Sequence, residues 1–510
     1  MNFSALPRLI RKLALVSLVA VFAAAGVRQA PALQPSHAPD RPLVFVPGLL
    51  GSKLCRAEAD GKVTLLWGTL ETILRFPDLA MGGPSPNVKP CGLIEEVTFL
   101  GVYTQDIYRP FVERLEKAGY RQGSTLLIFD YDWRLSVFVN AQRLAAFIDE
   151  KVPGNGSVDI VAHSMGGLIA HAYALEEGGS ARIDRLITAA TPWRGSVHVF
   201  QLLEDGWGAG NLITGGLESV RRTILSFPAT YELLPSYEGC CSRHSGSGKG
   251  FQAGNPAAWE ALNWEGVDRK ALPDLATAQA RQERLRQIVD TPMPETVEEV
   301  LIIGMDQRTP ESYELHTRRG HAHFSIHTSW EGDGIVTRDS AQLERRVAYP
   351  TTFAAHSAIL NDTLVQDFLI NTLSQGSAAA METVPVRERP SIRTAVGTVV
   401  ELVGVEVVTD QPVYSTNASA TATVHLRLSV QSPVDASRFK LTVARPDEAA
   451  RPVTLSPATQ ASDPANLFEQ SFSTRFETGP VPGKFVLTLT VKDSNGKART
   501  ITRSVPVLRP

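Results

Sequence analysis

The chain has 510 residues, of which 43% are hydrophobic and 20% charged, with a formal net charge of −3. Single cores stop growing at about 250–300 residues, so one large folded unit and at least one smaller module are expected. The composition is ordinary for a soluble globular protein, and the near-balanced charge excludes the basic footprint of a nucleic-acid binder.

At the N-terminus, Arg8, Arg11 and Lys12 precede the apolar run LALVSLVAVFAAAGV, residues 13–27. Small residues follow, with candidate cleavage after Ala25 or Ala32. A basic start, an apolar stretch and an A-x-A site read as a signal peptide over residues 1–32. The alternative, a membrane anchor, would need roughly 20 apolar residues to span a bilayer. Cleavage after Ala32 removes four cations and no anion, taking the charge from −3 to −7. The expected location is secreted, periplasmic or otherwise extracytoplasmic, where disulfides are permitted. The four cysteines are Cys55, Cys91, Cys240 and Cys241. They allow three pairings that sequence alone does not rank. No C-x-x-C spacing is present, so no structural zinc is expected, and no other metal or cofactor is implied.

Residues 33–375 alternate short apolar runs with helical patterns. PLVFVPG (42–48), TLLIFDYDW (125–133), VDIVAHS (158–164), RLITAATP (185–192) and EVLIIGM (299–305) have the length of strands buried on both faces. FVERLEKAGY (111–120) and AQRLAAFIDEKV (141–152) carry apolar residues at helical spacing. Such alternation predicts a doubly wound, mostly parallel α/β sheet. Residues 55–98 read as loop, with an apolar patch at 64–76, and 193–297 reads as a long cap insertion.

VDIVAHSMGGLIAHAYAL has the form of a nucleophile elbow of the α/β-hydrolase fold. An apolar strand enters Ala162-His163-Ser164-Met165-Gly166 and a helical pattern follows at once. The elbow aims a serine Oγ into a cleft and needs small residues two positions away, so that strand and helix pack closely. Ala162 stands where glycine is common and is still small. The helix N-terminus favours developing negative charge. His163 is not expected to be the base, because adjacent residues on such a turn point apart.

In this fold the acid and then the histidine follow the serine along the chain. In the loop TSWEGDGIVTRDSA, Asp333 lies between Gly332 and Gly334, which let the chain turn sharply, whereas Asp339 reads as the cap of the next segment. After residue 333 only His356 and His425 remain, and His425 falls in a β-type pattern. Ser164, Asp333 and His356 are therefore the expected triad. The oxyanion donors are expected to be the backbone N–H groups of Met165 and of Leu49, in the loop VPGLLGSKL. YDWR (131–134) has two readings: Asp132 and Arg134 support the loops near Leu49, or they form a local ion pair at a strand end.

Residues 376–392 read as a linker. Residues 393–510 follow with β-type runs and no helical pattern, and Asn495-Gly496 signals a hairpin. An all-β, immunoglobulin-like sandwich is expected there.

Together VPGLLGSKL, YDWR, the AHSMGG elbow, FPATYELLP (227–235), the GDGIVTRDSA loop and the later His356 resemble the lecithin:cholesterol acyltransferase family. That family includes lysosomal phospholipase A and phospholipid:diacylglycerol acyltransferases, and the resemblance covers roughly residues 41–375. It implies the triad and oxyanion donors named above. It also implies a Cys55–Cys91 disulfide holding a lid loop, 55–91, with Trp67 as the lid tryptophan. Ala162 departs from the common motif, so substrate preference is not carried over. Cys240-Cys241 could form a vicinal disulfide, pair with another chain or stay reduced.

The expected function is a serine-dependent acyl-ester hydrolase or O-acyltransferase acting on lipid esters, with peripheral contact to a lipid surface through the lid and no nucleic-acid partner. The alternative is a surface-binding or adhesion module that keeps the hydrolase fold without turnover.

Overall fold

The computed structural model describes residues 41–508, apart from 59–60, 74, 84–86, 100–102, 207–215, 238–239, 242–273, 344–347, 353–354, 375–390, 394–398, 411–413, 429–433, 463–467 and 493–497. The expected signal peptide, most of the expected linker and the Asn495-Gly496 turn lie outside the described residues.

The first strands are β1 (Leu43–Val46), β2 (Ser52–Ala57), β3 (Val63–Trp67), β4 (Val88–Leu93), β5 (Glu96–Phe99), β6 (Tyr103–Asp106), β7 (Leu126–Ile128), β8 (Val158–His163) and β9 (Ile183–Ala189). They are followed by β10 (Glu298–Met305), β11 (Thr309–Arg318), β12 (His321–Ser329) and β13 (Ala348–Thr352). The helices of five or more residues among the described residues are α1 (Arg109–Lys117), α2 (Val137–Lys151), α3 (Met165–Glu176), α4 (His198–Asp205), α5 (Leu217–Leu225), α6 (Pro228–Glu232), α7 (Leu275–Asp290) and α8 (Thr363–Ser374).

Six strands form the central sheet, in the order β13-β10-β9-β8-β1-β7, with every recorded pairing parallel. Strands β1 and β8 are buried at every position, as a parallel sheet covered on both faces requires. Successive residues of β1 serve opposite faces. Leu43 and Phe45 join a core with Phe111 and Leu115 of α1 and Leu369 of α8. Val44 and Val46 join the larger core with Leu144 and Ile148 of α2 and Leu168 of α3. This is the parallel sheet covered on both faces that the strand–helix alternation predicts.

The expectation of a loop over 55–98 is corrected by the structure. Strands β3, β2 and β4 form a three-stranded antiparallel sheet in that order, and β5 pairs with β6. The strands are short and their outer residues exposed, so no clean period of two marks them. Leu66 and Phe76 from the apolar patch are nevertheless in the core. Cys55 on β2 and Cys91 on β4 are joined. Strands β11 and β12 make a further two-stranded hairpin that the sequence pattern did not announce.

The C-terminal strands are β14 (Ser391–Arg393), β15 (Val399–Thr409), β16 (Tyr414–Ser415), β17 (Ser419–Leu428), β18 (Phe439–Arg445), β19 (Glu448–Val453), β20 (Ser456–Ser462), β21 (Phe468–Glu477), β22 (Gly483–Lys492) and β23 (Ala498–Leu508). They form two sheets, β14-β15-β17-β21-β20 and β16-β23-β22-β18-β19. Side chains from both, such as Val424 and Phe472 against Leu441 and Phe485, share one core. The orders β15-β17-β21-β20 and β23-β22-β18 correspond to ABED and GFC of the immunoglobulin fold. Strand β14 begins inside the stretch expected to be linker and pairs with β15. No helix among the described residues is long and apolar enough to cross a membrane.

One buried carboxylate ties the cap insertion to the sheet domain. Glu232 of α6 accepts hydrogen bonds from Ser136 Oγ at 2.5 Å and from Val137 N at 2.7 Å, at the start of α2. Burial raises its pKa from 4.5 to about 7, against the lowering effect of those two bonds. Between these values the folded state holds a proton that the unfolded state has lost, so stability falls as pH rises. Relative to Glu232→Gln, wild-type stability should be greatest below pH 4.5 and decline through pH 7, by roughly 3 kcal/mol in all. Urea unfolding of both proteins between pH 4 and pH 8 measures this. A difference that does not change with pH would refute it.

Candidate active site

Strand β8 lies between β1 and β9 and ends at His163. Ser164 follows with φ 52° and ψ −128°, and α3 starts at the next residue, Met165. A positive φ is uncommon for a non-glycine residue and persists only where its surroundings hold it. Here Ser164 N donates to Ala189 O at 2.8 Å, and Gly167 N donates to Ser164 O at 2.9 Å. A Cβ on Gly166 would lie 2.5 Å from Val46 O and 2.6 Å from Pro47 O. A Cβ on Gly48 would lie 2.9 Å from the Ser164 Cβ. Both glycines thus allow the loop after β1 to rest directly on the elbow.

His356 opens a short 3₁₀ turn, His356–Asn361, after β13. Its Nε2 is 2.9 Å from Ser164 Oγ and its Nδ1 is 2.8 Å from Asp333 Oδ2. The other carboxylate oxygen, Asp333 Oδ1, accepts from Ile335 N at 2.9 Å and Val336 N at 2.7 Å. His356 N donates to Asp333 O at 2.8 Å, so the two residues are also joined through the backbone. An ionised Asp333 only accepts, which places a proton on Nδ1 and leaves Nε2 to accept from the serine hydroxyl. Ser164, Asp333 and His356 are all buried. Asp339 is elsewhere: its exposed carboxylate faces Arg338 at 3.7 Å. It does not cap the segment it sits in. The cap is Thr337, which accepts from Ser340 N. His425 lies in β17 and bonds Ser471 Oγ at 2.8 Å.

The loop carrying Leu49 is held from several sides. Tyr131 Oη donates to Pro47 O at 2.9 Å, Trp133 Nε1 to Ser52 O at 3.0 Å and Trp67 Nε1 to Leu50 O at 3.0 Å. Gly48 N donates to Tyr108 Oη at 2.9 Å. In YDWR it is therefore Tyr131 and Trp133 that reach the loop. Asp132 and Arg134 form a buried bidentate pair, and Arg134 Nη1 donates to Leu79 O at 2.9 Å within the 55–91 segment. Sequence reasoning passed over Tyr108, Tyr131 and Trp133, since nothing local marks an aromatic as the partner of a loop up to 84 residues away.

An apolar cavity adjoins this loop, with about 450 Å³ of empty space, open solvent included. Leu49 and Leu50 line it from the loop, Phe76 from the 55–91 segment and Trp133 from YDWR. Val199, Ile224, Phe227 and Leu233 line it from the cap insertion. Within FPATYELLP, Phe227 and Leu233 line the cavity, while Tyr231 and Leu234 are buried in the core. Trp67 packs edge-on against Phe76 and Trp133, behind the cavity wall. Cys240 and Cys241 are joined as a vicinal disulfide. No cluster of three or more potential metal ligands occurs among the described residues.

The close approach at Gly166 generates a test that needs no substrate. Gly166→Ala places a methyl group against two backbone carbonyls, an overpacking that costs about 1–3 kcal/mol or more. Thermal melting should show a clearly lowered transition for the domain built on the central sheet, and a melting temperature equal to wild type would contradict the packing described.

Residues 83–308 match the family model of lecithin:cholesterol acyltransferase. Over 165 residues the chain is 28% identical to the phospholipase A(1) LCAT3 of Arabidopsis thaliana, a stretch that is 30% of this chain and 34% of that protein. The chain thus spans about a third of the length of that curated relative. The lipase BlEst2 of Bacillus licheniformis in its mature form is similar at 15% identity and a TM-score of 0.34, over 67% of this chain and 95% of that one. Its propeptide form is 13% identical with a TM-score of 0.33, over 93% and 96%. The match over residues 83–308, which include the elbow, makes this part of the chain similar to the lecithin:cholesterol acyltransferase family.

Proposed function

We propose that the chain is a serine acyl-ester hydrolase or O-acyltransferase that acts on lipid esters through an acyl-enzyme. The observation that carries this reading is the continuous contact Ser164 Oγ–His356 Nε2–His356 Nδ1–Asp333 Oδ2, at 2.9 Å and 2.8 Å, with an apolar cavity lined by Leu49 and Leu50 of the loop that rests on the elbow. Ser164 Oγ attacks the ester carbonyl while His356 Nε2 takes its proton, and Asp333 stabilises the imidazolium. The protonated His356 then gives its proton to the leaving alcohol oxygen. Water or a second alcohol attacks the acyl-serine with His356 again as base. Gly48 N–H is committed to Tyr108 Oη, which makes the next amide, Leu49, the loop's donor to the oxyanion. Met165 N–H, the first of α3, is the second donor. Each such donor typically contributes about 3–4 kcal/mol to the transition state.

The acyl chain occupies the apolar cavity, whose wall begins at Leu49 itself. The 55–91 segment acts as a lid braced by Cys55–Cys91, and its exposed Val63 and Met81 suit contact with a lipid surface. The N-terminal pattern of residues 1–32 and the disulfide support an exported protein.

Ser164→Ala should abolish ester turnover and fluorophosphonate labelling with the fold intact, a loss on the order of 10⁶-fold in kcat. A variant that keeps more than a few per cent of wild-type activity would show another nucleophile at work, and an unlabelled, folded wild type would favour the non-catalytic binding module. Parallel assays with and without a long-chain or sterol alcohol separate transferase from hydrolase.

Asp333→Asn should lose roughly 10⁴-fold through the wrong imidazole tautomer, while Asp339→Asn stays near wild type. Equal activity of the two variants would remove Asp333 from the triad. Cys55→Ser should slow turnover of aggregated lipid more than of a short soluble ester. Equal losses on both substrates would argue against a lid.

A further inference from the structure

His163 precedes the serine, is buried, and takes no part in the proton transfers above. Its two ring nitrogens are both engaged. Nε2 lies 3.0 Å from the backbone O of His356, and Nδ1 lies 2.8 Å from Tyr108 Oη. A carbonyl oxygen only accepts, so Nε2 carries a proton and donates it. Tyr108 Oη receives the Gly48 N–H at 2.9 Å, which leaves its own hydrogen for Nδ1. The directions are therefore fixed along the whole chain: Gly48 N–H to Tyr108 Oη, Tyr108 O–H to His163 Nδ1, His163 Nε2–H to His356 O. A neutral imidazole is the only form of His163 that completes it. Burial first, and the nearby His356 second, lower the His163 pKa to about 3.

The ends of this chain are the two parts of the site that come from separate elements. Gly48 begins the loop that carries Leu49, and His356 is the base. Neither is covalently near the other, and each meets Ser164 independently. The rings are packed as well as bonded: His163 lies 4.9 Å from the His356 ring, and Tyr108 packs edge-on to His163 and to Phe45 of β1. A Cβ on Gly51 would sit 3.0 Å from Tyr108 Cε2, so the loop rests on this ring. A histidine kept only to fill space would be replaced without loss by an apolar residue, because burying two polar nitrogens is costly unless both are bonded.

We propose that Tyr108 and His163 are positioning residues for acyl transfer, forming a buried strut of three directional hydrogen bonds that sets the oxyanion loop at Gly48–Leu49 in register with the base His356. The inference rests on the acyl-transfer reading of the site. The strut holds two groups that act on the same tetrahedral carbon, one on its oxygen and one on its leaving group. Its loss shifts one against the other and affects the chemical step rather than binding in the apolar cavity.

Two measurements on the full chain test it. The first uses ¹⁵N-labelled histidine and nuclear magnetic resonance, with the His163 signals assigned by their loss in His163→Gln. The wild type should show His163 as the neutral Nε2–H form, and Tyr108→Phe should move the Nδ1 resonance as its donor disappears. A proton on Nδ1, or an Nδ1 resonance indifferent to Tyr108→Phe, overturns the strut whatever the activity. The second measures kcat and KM on a short soluble ester. Tyr108→Phe should lower kcat by roughly 10- to 100-fold with KM within about twofold, the loss expected from misplaced reacting groups. The double variant Tyr108→Phe/His163→Gln should be little worse than the poorer single variant, since both cut one chain. An unchanged kcat, or a change in KM alone, in a folded Tyr108→Phe overturns the proposal while the wild type remains active. A wild type that neither labels at Ser164 nor turns over ester overturns the acyl-transfer reading, and the positioning role with it.

Discussion

The backbone of Ser164 is the constraint on which the surrounding architecture depends. A serine at φ 52° and ψ −128° has left the regions where L-residues sit easily, at a cost of about 1–3 kcal/mol. The sheet meets that cost by leaving the residue no alternative. Strand β8 is registered against β1 on one side and β9 on the other, so its last residue cannot move along the strand axis. The Ser164 amide is fixed to Ala189 O at the end of β9, and α3 leaves at once. A sharp turn between a fully buried strand and a nearly fully buried helix leaves no room for side chains at its inner corner. Gly166 meets the carbonyls of Val46 and Pro47 there, and Gly167 meets Thr191. The same crowding that strains the serine brings the loop after β1 within reach of its hydroxyl.

That loop has a strained residue of its own, Leu50, at φ 65°. Its conformation is held by side chains rather than by a sheet. Three hydrogen-bond donors, from Tyr131, Trp133 and Trp67, each take a carbonyl of residues 47–52. These aromatics bring apolar bulk with a polar tip. Trp133 uses its tip on Ser52 and its ring as cavity wall, and Trp67 backs Trp133 and Phe76. Loop geometry and cavity shape are therefore not independent: a change in the aromatic packing alters both.

What the sequence revealed and what it concealed divide along contact range. The elbow is written in five consecutive residues, flanked by a strand and a helix, and is legible because all its constraints are local. Asp333 and His356 could be placed by their order along the chain and by the glycines around Asp333. The immunoglobulin-like module was readable from its period of two. By contrast, nothing near Tyr108 says that it answers His163, 55 residues later. The three-stranded sheet of β3, β2 and β4 read as loop because its strands are short and half-exposed, and its register depends on partners rather than on pattern. Asp339 looked like a cap because acids favour helix starts, but the residue two places before it, Thr337, already supplied the oxygen. In YDWR the charged pair drew the eye, while the tyrosine and tryptophan reach the loop.

The direction of the strands explains why so scattered a set of residues converges. In a parallel sheet all carboxyl ends lie along one edge, and ligand sites form there. Leu49 follows β1, the YDWR residues follow β7, Ser164 follows β8 and His356 follows β13. Asp333 reaches the same edge by a longer route, beyond β10 and the β11–β12 hairpin. Its loop is drawn back to the turn from β10 into β11: Gln307 N donates to Gly332 O at 2.9 Å, and Gly334 N donates to Oγ1 of Thr309, the first residue of β11, at 2.8 Å. The glycines on either side of Asp333 make this return possible. Gly334 adopts φ 100°, and the Cα of Gly332 lies so close to Val336 O and Thr309 that a side chain would collide with both. The hairpin insertion thus lengthens the path to Asp333 without displacing it, because the loop is anchored where β10 gives way to the hairpin.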